Sequence, residues 1–167
     1  TANPEQEARQ ALDQLQPDLV ISTERPGLNA EGNYCNMRGE DISANCASFD
    51  HFLNLSSCPT IGIGDGGNEI GMGNVVDTLA NLNVTASITC CDELVIADIS
   101  NWAAHGLIAM LSYARGEDML ASWNNIDMLR YLSSHGSVDG VSRENTLTED
   151  GLSSELTEQT IKKKRKI

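Results

Sequence analysis

The chain reads as an α/β domain built on a mainly parallel sheet. Three observations carry that reading. Compact β-branched runs recur at "DLVIST" (18–23), "PTIGIG" (59–64) and "DELVIADIS" (92–100). Segments of helical period lie between and after them. Strands that alternate with helices favour parallel pairing with helices on both faces, a Rossmann-like three-layer arrangement. The whole of residues 1–167 is read as a single domain, with a basic tail at 162–167.

The elements follow in order. "NPEQEARQALDQLQ" predicts a short amphipathic helix: Asn3 caps it, Pro4 suits its first turn, and Ala8, Ala11, Leu12 and Leu15 share one face. Pro17 stops it, and the first strand follows. Glu24 to about Ala47 is polar, carries glycines and lacks periodicity; a loop that long inside a compact domain is usually functional or disordered. "SFDHFLNL" (48–55) predicts a short helix before the second strand, and "NEIGMGNVVDTLANL" (68–82) a helix after it. The third strand leads into "NWAAHGLIAMLSYARG" (101–116), a helix that Ser100 or Asn101 can cap and Gly116 ends. "NNIDMLRYLSSHG" (124–136) predicts another helix closed by glycine, and the segment from Leu152 a last one. The Asp-Gly pairs at 65–66, 139–140 and 150–151 are turn chemistry.

Charge narrows the partners. The net charge is −13, yet five of the eleven basic residues fall within the terminal "KKKRKI". The remaining body holds six basic against twenty-four acidic residues, a charge of −18. Such a body repels phosphate backbones, so no nucleic-acid partner is expected. No apolar run approaches the length of a membrane span, so no membrane partner is expected either. The cysteines, Cys35, Cys46, Cys58, Cys90 and Cys91, are odd in number and form no C-x-x-C. They suit free thiols better than a disulfide framework or zinc site.

The loops carry the chemistry. In "TIGIGDGGNEIGMGN" (60–74), glycines allow close backbone approach, and a following helix would aim free N–H groups at an anion. Gly62, Gly64 and Gly67 match G-x-G-x-x-G, but Asp65 stands where a phosphate would lie and would repel it. Asp65, Asn68 and Glu69 point instead to a polar site at a strand end. In "ERPGLNAEGNYCNMRG" (24–39), Arg25 and Arg38 are suited to carboxylates, with Glu24 beside them and Asn29, Asn33 and Asn36 as neutral donors and acceptors. Ser100 and Asn101 start a helix at a third strand end and are expected to line the same pocket. In open α/β sheets ligands gather at the carboxyl ends of the strands, where these segments leave.

"ERPGLNAEGNYCNMRGEDIS", "IGIGDGGNEIGMGN" and "SNWAAHGL", in that order, resemble the D-glutamate cyclase family, specifically its C-terminal cyclase-like domain. The resemblance runs from about Leu19 to Leu111 and continues more weakly through "VDGVS" and "EDGLSSE". It implies a longer domain, with a further α/β portion ahead of this segment. An N-terminal portion or a second chain, as in a homo-oligomer, is then expected to complete the site. It also implies a hydro-lyase that converts D-glutamate to 5-oxo-D-proline with loss of water, in the mitochondrial matrix of animals and the cytoplasm of bacteria. On that basis Asp65 and Glu69 are the catalytic candidates, one of them the base and later the acid. Glu24, Arg25, Asn36, Arg38 and Asn101 are expected to bind substrate, the arginines through its carboxylates. The N–H groups of Gly66, Gly67 and Asn68 are expected to hold the oxyanion. A divalent cation, Mg²⁺ or Mn²⁺, on Asp65 and Glu69 is an alternative source of polarisation. The competing expectation is a binding module that holds a small anionic metabolite or phosphate without turnover.

Overall fold

A computed structural model describes residues 3–164, and the terminal part of the basic tail, residues 165–167, lies outside them. The chain divides into two compact units, Thr1–Ser100 and Asn101–Ile167. The fold is mainly parallel α/β, as the strand and helix runs predict.

The first unit opens with helix α1 (Pro4–Leu15). Asn3 accepts the Gln6 N–H, Pro4 fills the first turn, and Gln16 ends the helix in a left-handed conformation. Ala8, fully buried, sits on the face that packs on α2 (Asp50–Asn54). The sheet holds β1 (Val20–Thr23), β2 (Thr60–Gly64) and β3 (Glu93–Ile96) in the order β1-β2-β3, both pairs parallel. β2 is central and largely buried, whereas its two neighbours are half-exposed edges. Ile63 of β2 and Ile70, Met72 and Ile99 from the segments that follow the strands are the largest fully buried apolar side chains among the described residues.

The start of β2 is clasped to the segment that enters β3. Asp92 accepts both the N–H and the hydroxyl of Thr60 at 2.8 Å, and the Asp92 N–H returns a bond to the Thr60 hydroxyl at 2.9 Å. At the other end, Glu24 donates its N–H to Ile63 O and Ala97 to Gly64 O. The strand ends that carry Glu24 and Asp65 are thereby set side by side.

The helix expected over 68–82 does not form as such. A 3₁₀ turn spans Met72–Val75, and a single α-helical turn follows, α3 (Val76–Leu79). Gly71 has φ +103°, and both Gly71 and Gly73 send their N–H groups across to Thr89 O rather than back along a helix. The apolar spacing of Ile70, Val75, Val76 and Leu79 is helical, but the glycines between them let the backbone pair elsewhere. The segment that follows the loop therefore aims no helix N-terminus back at Asp65 to Asn68.

The second unit contains most of α4 (Ser100–Arg115), then α5 (Asn125–Ser134) and α6 (Ser154–Lys164). Gly116 and Gly136 follow the first two with positive φ. Ala109, Leu120 and Ile161 form its core. A small hairpin pairs β4 (Thr148–Glu149) with β5 (Leu152–Ser153). Asp150 and Gly151, at φ +49° and +77°, make its two-residue turn, as the Asp-Gly pair predicts. Among the described residues no helix is long and apolar enough to cross a membrane.

Candidate active site

The loop after β2 folds back on a carboxylate of its own. Glu69 is buried, and its two oxygens accept the N–H of Gly66 at 2.9 Å and of Gly67 at 2.8 Å. This closure needs glycine at two points. Gly67 has φ +94°, and a Cβ on Gly64 would lie 2.7 Å from the end of Met72 and 2.9 Å from a Glu69 oxygen. Burial pushes the pKa of Glu69 up; the backbone donors, Gly66 and Gly67 among them, oppose this, and the charge of Asp65 adds to the rise. The balance leaves Glu69 holding its proton more firmly than an ordinary glutamate.

Asp65 is half-buried and held differently. Its Oδ2 accepts both the N–H and the hydroxyl of Ser100 at 2.8 Å. Its carboxylate lies within 4.8 Å of that of Glu24, which stands just beyond β1 at φ +52°. Three carboxylates are thus gathered at the carboxyl ends of β1 and β2. Glu24 and Asp65 have the spacing of two oxygen ligands on one divalent cation. Both oxygens of Glu69 are already engaged by N–H groups, which makes it the weaker ligand candidate.

The long polar loop meets this one. Gly27 N–H donates to Asn68 O, Ile70 N–H to Arg25 O, and the Asn68 side chain donates to Cys35 O at 2.9 Å. Most of the loop's polar side chains hold the loop itself. Asn29 accepts the N–H groups of Glu31 and Asn33. Asn36 accepts those of Arg38 and Glu40 and donates to the Glu40 carboxylate at 2.6 Å. Arg38 rides exposed in that turn. The Arg25 guanidinium lies 4.3 Å above the centre of the Phe49 ring.

The structure therefore brings Glu24, Asp65, Gly66, Gly67, Asn68 and Glu69 together. Arg25 is turned to Phe49, and Asn36 is engaged in its own turn. Asn101 belongs to the second unit, where it donates to Glu149 at 2.9 Å. Glu149 also accepts from Asn125 and Thr157, both buried, so Asn101 belongs to a structural hydrogen-bond network.

Asp50, buried at the start of α2, was not legible as a key residue. It accepts the Leu28 N–H at 2.9 Å, the Tyr34 hydroxyl at 2.7 Å and the Thr89 hydroxyl, and so ties the long polar loop to the segment that leads into β3. Burial, then the bond to Asp50, pushes the pKa of Tyr34 up to about 12. The sequence offers no signal for this, since an aspartate inside "SFDHFLNL" reads as an ordinary helix start. All five cysteines are free thiols, as their number and spacing suggest.

A parallel sheet that presents glycine-built acidic loops at its strand ends defines an α/β domain of the kind that places small-molecule sites there. More particularly, the chain belongs to the D-glutamate cyclase-like family: residues 2–165 match the model described as "D-glutamate cyclase-like, C-terminal". The human protein named "D-glutamate cyclase, mitochondrial" is 36% identical over 102 residues, which cover 56% of this chain and 17% of that protein. The chain thus spans a minor part of the length of that relative.

Proposed function

We propose that this chain carries cyclase-type lyase chemistry, the intramolecular dehydration of D-glutamate to 5-oxo-D-proline. The observation that supports it most is Glu69: a buried carboxyl of raised proton affinity beside the ionisable pair Asp65 and Glu24. Neighbouring carboxylates whose environments differ are suited to divide acid and base roles. In this reading Asp65 and Glu24 attract the substrate ammonium, and Asp65 takes its proton. The freed amine attacks the γ-carboxyl carbon and forms the C–N bond. Glu69 gives its proton to the departing oxygen and Asp65 passes on to it the proton taken from the ammonium, so the C–O bond breaks and water leaves, while the second proton shed by the attacking nitrogen restores Glu69.

The N–H groups of Gly66 and Gly67 then position the acid, and the Asn68 N–H is left for the oxyanion. Arg38 supplies the cation for a substrate carboxylate. The proposed location is the mitochondrial matrix for an animal source, as the name of the human relative suggests, and the cytoplasm for a bacterial one. The engagement of Glu69 within its own loop also supports the second reading, a module that binds a small anion without turnover.

Incubation with D-glutamate and separately with L-glutamate, each with and without Mg²⁺ or Mn²⁺, followed by chiral chromatography of 5-oxoproline, tests the proposal. Product from the D isomer alone supports it. Absence of product from folded protein that still binds D-glutamate favours the binding module.

A further inference from the structure

Outside the acidic loop, the first unit has a second concavity. It lies between β1 and α2, with a volume of about 410 Å³, and its lining includes Ile21, Ser22, Arg25, Phe49, Phe52 and Leu53. No residue of the Asp65–Glu69 segment lines it. Its size is that of a small-molecule site, and most of its wall is apolar. The Phe49 and Phe52 rings stack with centroids 5.5 Å apart, and the Arg25 guanidinium covers the outer ring.

Arg25 is the group that gives the groove its chemistry. Among the described residues no carboxylate pairs with it, unlike Arg9, which pairs with Glu5, and Arg130, which pairs with Asp127. In a body with four acidic residues for each basic one, such a cation is unusual. Stacking fixes the plane of the guanidinium and leaves its fork of N–H donors for a planar anion.

Two further features agree. Val20 and Glu24 turn their N–H groups to β2, so the alternation of a strand turns the backbone groups of Ile21 and Thr23 to the open edge, along the groove. Ser22 is 7% exposed and its hydroxyl is buried with no hydrogen-bond partner among the described residues. Buried hydroxyls without a partner are rare and costly. A rotation about its Cα–Cβ bond between staggered rotamers is the motion that would offer it to an occupant.

We propose that this groove is a binding site for a small monocarboxylate with a flat apolar body, distinct from the acidic loop. The carboxylate pairs with Arg25 in a bidentate manner, and the apolar body packs on Phe52, Leu53 and the edge of Phe49. A charged cyclase substrate such as glutamate does not suit these walls, so the proposal goes beyond the cyclase reading and stands without it.

Phenylacetate is the probe, titrated into the full chain by calorimetry and by saturation-transfer NMR, with neutral phenylacetamide as its isostere. Phenylacetate is expected to bind saturably, with phenylacetamide at least tenfold weaker. Arg25→Gln, at an exposed position, is expected to weaken phenylacetate at least tenfold while the circular dichroism spectrum is kept. Ser22→Ala is expected to weaken it less, and to leave the free protein as stable as before or more so. D-Glutamate is expected not to displace the probe. The proposal is overturned by any of four outcomes: no saturable binding to folded protein, equal binding of the amide, binding unchanged in Arg25→Gln, or displacement by D-glutamate. A dimer in sedimentation that Ile21→Glu dissociates would assign the groove to a second copy and overturn it too.

Discussion

Glu69 in the first unit and Asp139 in the second are two versions of one device with opposite electrostatic results. Both are buried carboxylates that tie a glycine-bearing turn by accepting its N–H groups. Asp139 accepts the N–H of Val141, Ser142 and Gly151 and the hydroxyl of Thr148, all within 2.9 Å. Burial pushes its pKa up, but these four donors outweigh that and bring it down to about 2. Glu69 has two such donors that its side chain reaches, deeper burial and Asp65 as a like-charged neighbour, and its pKa rises. The number of donors set against burial and neighbouring charge separates a carboxylate that is a structural anchor from one poised to exchange a proton.

The contrast can be broken at several points. Asp65→Asn carries the largest expected effect if the cyclase reading holds: loss of the base should lower turnover by about a hundredfold or more with the fold intact. Full activity in that variant, read by the 5-oxoproline assay, would refute the base assignment. Asp139→Ala leaves four donors without an acceptor and should cost about 3 kcal/mol in urea unfolding. A loss below about 1 kcal/mol would mean that water replaces the carboxylate.

Gly64→Ala should cost about 1–3 kcal/mol, because its Cβ meets Glu69 as well as the yielding end of Met72. Glu69→Gln is expected to be milder, about 1 kcal/mol or less. The amide keeps one acceptor and strands one N–H, while relief from burying a charge offsets part of that.

The smallest effect is the one that reads the comparison directly. The folded pKa of Asp139 lies below its unfolded value of 3.8, so its contribution is full above about pH 4 and is lost as pH falls towards 2. The folded pKa of Glu69 lies above its unfolded value of 4.5, so its contribution is full below that value and is lost as pH rises through the folded pKa. Asp139→Asn should therefore flatten the acid limb of a stability–pH curve, and Glu69→Gln the limb above pH 4.5. Parallel curves for the two variants would show that the carboxylates do not differ in this way.

Much of the fold was legible because β-branched runs bounded by proline and glycine leave little choice but strand, and "PTIGIG" is the central one. The helix over 68–82 was misread for an equally physical reason: periodicity reports which side chains are apolar, and Gly71 and Gly73 decide where the backbone turns. The hairpin at 148–153 has strands of two residues each, too short for a pattern, so only its Asp-Gly turn was visible. At the site, acids set among glycines marked the 65–69 loop. That its glycines would serve a carboxylate of the same loop was not legible, since an N–H aimed at a ligand and one aimed at a side chain three residues on have the same sequence. The asparagines of the long loop are ambiguous in the same manner, because residues suited to hold a ligand are also those suited to hold a turn.

The clasp between Thr60 and Asp92 lies at the far end of β2 from the acidic loop, about 13 Å away along the strand. Its consequence is one of dimensional tolerance. Parallel strands have no turn between them to index one against the other, and a slip of one residue would move the ends of β2 and β3 by more than 3 Å while turning every side chain over. Three hydrogen bonds at the entry to the sheet act as the gauge block against which the exit is cut. Wear at Asp92, by substitution, would therefore be measured first as misalignment of Asp65 and Ser100, residues that it never touches.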